Sequence, residues 1–155
     1  MKLKTTKLYY NPDYKFTLEV PLHWTVKPSA QRDTAVKFVY RESATLIAVL
    51  GVETPPDRGA ALSPDEMFAS FKHEFPDSTS IRLDSGTANI DGIDAVWNIV
   101  EVTDPPEARI IGKHYYFRRG KALLRLTAMT DSGSEFFVAA LPALEEVIAS
   151  LRFEA

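Results

Sequence analysis

The sequence predicts an α+β domain, an antiparallel β-sheet flanked by helices in an α/β/α sandwich. Three observations carry this reading. Strand-type alternation dominates the first half of the chain; the dipeptides Asp91-Gly92 and Arg119-Gly120 join apolar runs as hairpins; and segments after Ser63 and at the C-terminal end switch to helical spacing. With 155 residues, 45% hydrophobic and 25% charged, the chain has the balance of one domain spanning residues 1–155. A chain of this length buries roughly two-thirds of its unfolded surface, so it needs no disulfide or metal staple.

The opening stretch places Phe16, Leu18 and Val20 on one face and Thr17 and Glu19 on the other, a strand from Tyr14 to Val20 that Pro21 ends by removing a donor. Val36–Tyr40 and Ala44–Val52 read as two more strands, and the unbroken Leu46-Ile47-Ala48-Val49-Leu50 marks the second as buried on both faces. Pro55-Pro56-Asp57-Arg58-Gly59 breaks the pattern. Ser63-Pro64-Asp65-Glu66 then supplies an N-cap, a proline at the first helical position and a glutamate at the third, predicting a helix from Pro64 to Glu74 with Met67, Phe68, Phe71 and Phe75 as its core stripe.

Asp91-Gly92 is the strongest turn signal, because a type I′ hairpin needs positive φ at both central residues. It pairs Ile90 with Ile93, Ala88 with Ala95 and Gly86 with Trp97, a floor of small residues for the indole. A second hairpin centred on Arg119-Gly120 joins Ile110–Phe117 to Ala122–Met129, and a two-residue turn there pairs Phe117 with Ala122 and Tyr115 with Leu124. Its opposite face carries His114, Tyr116, Leu123 and Arg125, a mixed aromatic and cationic surface that is the candidate partner-binding patch if no helix covers it. At the C-terminal end, Asp131-Ser132-Gly133-Ser134 caps a helix through Leu141, and Pro142 either opens a second helix or kinks a continuous one. Leu144, Val147, Ile148 and Leu151 form its buried face.

Composition excludes several functions. A net charge of −3 with interspersed signs offers no basic field for nucleic acid. The absence of cysteine removes thiol catalysis and cysteine zinc sites while leaving the redox compartment open. His23, His73 and His114 lack the short spacings that build a metal site, so no metal and no cofactor is expected. There is no Gly-x-Ser-x-Gly elbow, and the single glycines form neither a P-loop nor a dinucleotide fingerprint. Asp91, Asp94, Glu101 and Asp104 read as turn or surface carboxylates. Met1-Lys2-Leu3-Lys4 has the basic start of a secretory signal without the apolar segment that follows one, and no stretch is long enough to span a bilayer. Read as written the chain is cytoplasmic, and an exported protein trimmed of its leader reads the same. Nothing in the pattern sets an oligomeric state.

The Phe-x-Leu-x-Val-Pro-x-x-Trp opening at Phe16–Trp24, the aromatic strand His114-Tyr115-Tyr116-Phe117 before a turn and Leu123-Leu124-Arg125-Leu126-Thr127, and the ending Ser150-Leu151-Arg152-Phe153 resemble the PsbP-like fold family. The resemblance spans most of the chain and implies an antiparallel sheet flanked by helices. That family includes photosystem-associated subunits, a Ran-binding import factor, DcrB-like envelope lipoproteins and secretion chaperones, mostly binding proteins without a catalytic centre. It therefore implies a non-enzymatic binding or assembly module whose partner is another protein. The alternative is a small-molecule binder or hydrolase with a pocket between sheet and helix, lined by Trp24, Trp97 and Tyr115. The acidic Pro-Pro loops Thr54–Asp57 and Thr103–Ala108 would frame a partner site if both fell at one end of the sheet.

Overall fold

The computed structural model describes residues 6–28, 34–41, 47–104, 108–130 and 134–154. In chain order its elements are β1 (Thr6–Asn11), β2 (Phe16–Pro21), β3 (Thr25–Pro28), β4 (Thr34–Arg41), β5 (Ile47–Glu53), α1 (Pro64–Glu74), β6 (Thr79–Ile90), β7 (Ile93–Asp104), β8 (Ala108–Arg119), β9 (Ala122–Thr130), α2 (Ser134–Ala149) and β10 (Arg152–Phe153). A seven-stranded antiparallel sheet runs β3-β4-β5-β9-β8-β7-β6. A three-stranded sheet, β1-β2-β10, joins the chain's two ends through Arg152 opposite Thr17 and Phe153 opposite Phe16. Helix α1 packs on one face of the large sheet over β6 and β7, while α2 packs on β9, β8, β5 and β2. The predicted α+β sandwich is the observed one.

The alternation read in the opening strand is real burial: Phe16, Leu18 and Val20 are fully enclosed. They join Leu50, Leu126 and the predicted α2 stripe of Leu144, Val147, Ile148 and Leu151 in the principal core. Strand β1 carries no clean alternation that would announce it, because Leu8 and Tyr10 face outward and stay exposed. Its place is set by pairing with β2 across a turn in which the Asn11 side chain accepts from the Asp13 and Tyr14 amides and Lys15 adopts φ 56°. Strand β3 has four residues, too few to show a period.

Helix α1 begins and ends where its capping signals place it. Ser63 accepts from the Glu66 amide at 3.2 Å and Pro64 takes the first position. Met67 and Phe71 bury the inner stripe, whereas Phe75, just past the last turn, remains 39% exposed. The C-terminal helix is one continuous element with Pro142 inside it on the exposed side, which decides between the two readings of that proline. The proposed cap residues 131–133 lie outside the described residues.

The β6–β7 hairpin has the expected register, with Asp91 and Gly92 at φ 51° and 82°. The β8–β9 hairpin corrects the prediction by two residues. Its turn is Gly120-Lys121, so Arg119 faces Ala122, Phe117 faces Leu124 and Tyr115 faces Leu126. Gly120, at φ 62°, stands first in the turn instead of second. A two-residue shift leaves every side chain on its predicted face. The strands that lead into the two Pro-Pro segments finish at opposite ends of the sheet. Glu53 ends β5 level with Arg125 and Tyr116, near the finish of β8, whereas Asp104 pairs with Ala108 where β8 begins. Residues 105–107 themselves lie outside the described residues.

Candidate functional site

On the α1 face, β8 presents His114 and Tyr116, and β9 presents Leu123, Arg125 and Thr127. The sequence grouped four of these as a surface patch, and the structure does bring them together, but beneath α1. His114, Tyr116, Leu123 and Arg125 are only 7%, 3%, 6% and 3% exposed. Met67 packs with Tyr116 and Leu123 in a second apolar cluster, and the Phe71 ring lies 4.9 Å from the His114 ring. The patch is therefore corrected to a helix-covered layer.

Its charges are paired with one another. Arg125 Nε donates to Glu53 Oε2 at 2.5 Å, and its terminal nitrogens donate to both Glu74 oxygens at 2.8 and 3.1 Å, a fork from β9 to β5 and the end of α1. Burial alone would lower the Arg125 pKa, but the Glu74 hydrogen bond and the Glu53 charge more than offset that and raise it. Thr127 Oγ1 donates to Glu53 Oε2 at 3.4 Å and lies 3.1 Å from His114 Nδ1. Burial, reinforced by the Arg125 charge, pushes the His114 pKa down to about 3, so the ring is neutral at physiological pH. Beside this layer, toward the C-terminal end of α1, a cavity of about 240 Å³ opens. Phe71 and Phe75 wall it, Val100, Ile110 and Met129 floor it, and His114, Thr127, Arg125 and Glu53 form its polar end.

The α2 face holds a second, more open depression of about 320 Å³ between the β6–β7 hairpin and α2. Trp97 and Tyr115 line it, together with Lys113 and Glu145. Lys113 Nζ bonds Glu145 at 2.6 Å and sits 4.2 Å from the Trp97 ring and 5.0 Å from the Tyr115 ring. Burial depresses the Lys113 pKa, but the Glu145 and Tyr115 hydrogen bonds reverse this and leave it raised. Trp24, the third predicted pocket residue, does not reach this space. It is 2% exposed and belongs to the principal core. His114 lies on the opposite face of the sheet and cannot serve this pocket. Gly86 shapes its wall, since a Cβ there would stand 2.5 Å from the Trp97 ring.

No protein-family profile matches this sequence, and no curated protein matches it. Solved structures do. Cyanobacterial PsbP (CyanoP) from Synechocystis superposes with TM-score 0.70 at 10% identity, covering 99% of this chain and 95% of that one. The Ran-binding protein Mog1p of Saccharomyces cerevisiae gives TM-score 0.60 at 10% identity over 97% and 96% of the two chains. LpqN of Mycobacterium tuberculosis, involved in cell envelope biogenesis, gives 0.55 at 15% identity over 97% and 91%.

The chain has the PsbP-like fold. At these identities the likeness is one of architecture, and function rests on the residues that this PsbP-like domain places in its own layers. Among its described residues no group of three or more His, Cys, Asp or Glu is arranged to hold a metal ion, and no helix is long and apolar enough to cross a membrane. Sequence reasoning missed Glu53, Glu74, Lys113 and Glu145, the ionic partners of both cavities. The signal for two of them was present. Lys113 interrupts the run Ile110-Ile111-Gly112 before an aromatic stretch, and Glu53 closes the run Leu50-Gly51-Val52. A charge inside a buried strand requires a partner.

Proposed function

We propose that this PsbP-like domain is a non-enzymatic protein-binding module that docks an extended segment of another protein along edge strand β6. One observation carries the reading: Ile81 and Leu83, each 53% exposed, stand on a 12-residue strand that ends the seven-stranded sheet. Most edge strands are short or blunted by charge, because an unpaired row of backbone donors and acceptors invites another strand. Here the bulge between Arg82 and Asp84 is the one irregularity, and Ser85-Gly86-Thr87 beyond it carries no charge. Ile81 shares the face of Trp97 and Glu101. Strand addition gives main-chain hydrogen bonds, and apolar residues of the guest would rest on Ile81 and on Leu83 at the bulge. The guest is thus an extended segment that carries aliphatic residues. That Mog1p, with the same fold, is a Ran-binding protein supports a protein partner.

The test compares tagged wild-type protein with an Ile81→Glu/Leu83→Glu variant and a Leu8→Glu control on the other exposed strand. Capture from the native host is scored by mass spectrometry. Both changes lie at exposed positions and should alter stability by no more than about 0.5 kcal/mol. A partner retained by the control and lost from the β6 variant supports the reading. Identical capture by all three proteins would sink it.

A further inference from the structure

The cavity beneath α1 offers a site of its own, apart from the edge strand. Its walls are apolar: Phe71 and Phe75, with ring centroids 4.9 Å apart, form one side, and Val100, Ile110 and Met129 the floor. Such walls leave water short of hydrogen-bond partners, so an apolar guest displaces it favourably. At about 240 Å³ the space exceeds the roughly 150 Å³ in which an apolar cavity takes up a benzene ring. It therefore accommodates one aromatic ring with a short chain, or two fused rings.

The polar end decides what charge such a guest can carry. Two charged side chains line it, Glu53 and Arg125, and they are bonded to each other at 2.5 Å with side chains 12% and 4% exposed. The remaining Arg125 nitrogens are held by Glu74, which stands outside the lining. A cation or an anion entering here would meet charges already compensated, and would give up its hydration without gaining a counter-ion. The end of the cavity therefore favours an uncharged guest over either ion.

One polar atom there is left open. His114 is 7% exposed and uncharged, and its Nδ1 lies 3.1 Å from Thr127 Oγ1. Its Nε2 has no hydrogen-bond partner among the described residues. Gly112 keeps the approach to that nitrogen clear, since a Cβ there would stand 2.9 Å from Nε2 and 3.3 Å from Met129 Cβ. A neutral imidazole presents Nε2 either as an N–H or as a lone pair, and a hydroxyl, which both donates and accepts, meets each form.

We propose that this cavity binds a small, uncharged, largely apolar alcohol or phenol, its body held between Phe71, Phe75 and the strand floor and its hydroxyl on His114 Nε2. The site disfavours the ammonium and the carboxylate analogues of that molecule alike.

The probes 3-phenylpropan-1-ol, 3-phenylpropan-1-amine and 3-phenylpropionate share one apolar body and differ in the charge at its end. Each is titrated into the full chain near neutral pH and followed by calorimetry and by NMR of the histidine ring nitrogens and phenylalanine resonances. The alcohol should bind with Kd of about 1 mM or tighter, and both ions should bind more weakly by roughly tenfold or more. The His114 ring-nitrogen and Phe71 and Phe75 resonances should shift with the alcohol. Ile110→Phe fills the floor without touching Glu53, Arg125 or His114, and should abolish alcohol binding while keeping the wild-type thermal transition. Phe75→Ala, at a residue 39% exposed, removes one wall and should weaken the alcohol by at least about threefold. Either ion binding as tightly as the alcohol, no alcohol binding by the wild type, an unmoved His114 ring, or shifts confined to Trp97 in the opposite depression would each overturn the proposal. So would unchanged alcohol binding by a folded Ile110→Phe; should that variant not fold, Phe75→Ala and the wild-type selectivity decide.

Discussion

Replacing Arg125 by methionine tests whether the α1 layer is held by compensated charge. Arg125 is 3% exposed, and it bonds Glu53 and Glu74 at 2.5 and 2.8 Å. Each attraction is about 4 kcal/mol at 4 Å and an effective dielectric of about 20, set against a desolvation cost of several kcal/mol for each ion. The intact triad therefore contributes little net stability. Removing its only cation is another matter: two carboxylates whose side chains are 12% and 13% exposed are then left facing each other. Arg125→Met should cost about 3–5 kcal/mol at pH 7, out of a total of about 5–15 kcal/mol for a domain of this kind. Urea unfolding followed by tryptophan fluorescence reads the loss directly. Adding Glu53→Gln, which keeps an acceptor for Thr127, and Glu74→Met should recover at least half of it. A cost below about 1 kcal/mol, or a triple variant no more stable than Arg125→Met, would refute the reasoning.

Two further outcomes follow from the same geometry. With His114 held at about 3 when folded, against an ordinary value of 6.5, the unfolded chain takes up a proton that the native one refuses. Stability should fall as pH drops through that window, by up to about 1.4 kcal/mol per unit, and His114→Phe should remove that part of the slope in urea titrations from pH 7 to 5. Gly86→Ala places its Cβ 2.5 to 2.9 Å from three Trp97 ring atoms and should cost about 1–3 kcal/mol, relieved by Trp97→Leu in a double-mutant cycle.

Much of the architecture was legible because its signals are local. The Asp91-Gly92 turn sets the β6–β7 register through the φ values that its two residues tolerate. Ser63 and Pro64 start α1 through their own backbone chemistry. Alternation likewise placed His114, Tyr116 and Arg125 on one face, and even a pairing register misplaced by two residues preserved that grouping. Strands β1 and β3 escaped notice because one faces its apolar residues outward and the other is too short to show a period.

The sequence by itself thus determined which residues share a face and where most elements begin and end. Only the tertiary structure decided which face is covered and what answers its charges. Arg125 meets Glu53 across 72 residues of chain and Glu74 across 51, and Lys113 meets Glu145 across 32. No local period encodes such separations. Those contacts exist because α1 folds back over one side of the sheet and α2 over the other. That packing turns a predicted surface patch into a buried ionic layer and leaves a cavity at its edge, while β6 at the sheet's end keeps Ile81 and Leu83 in solvent.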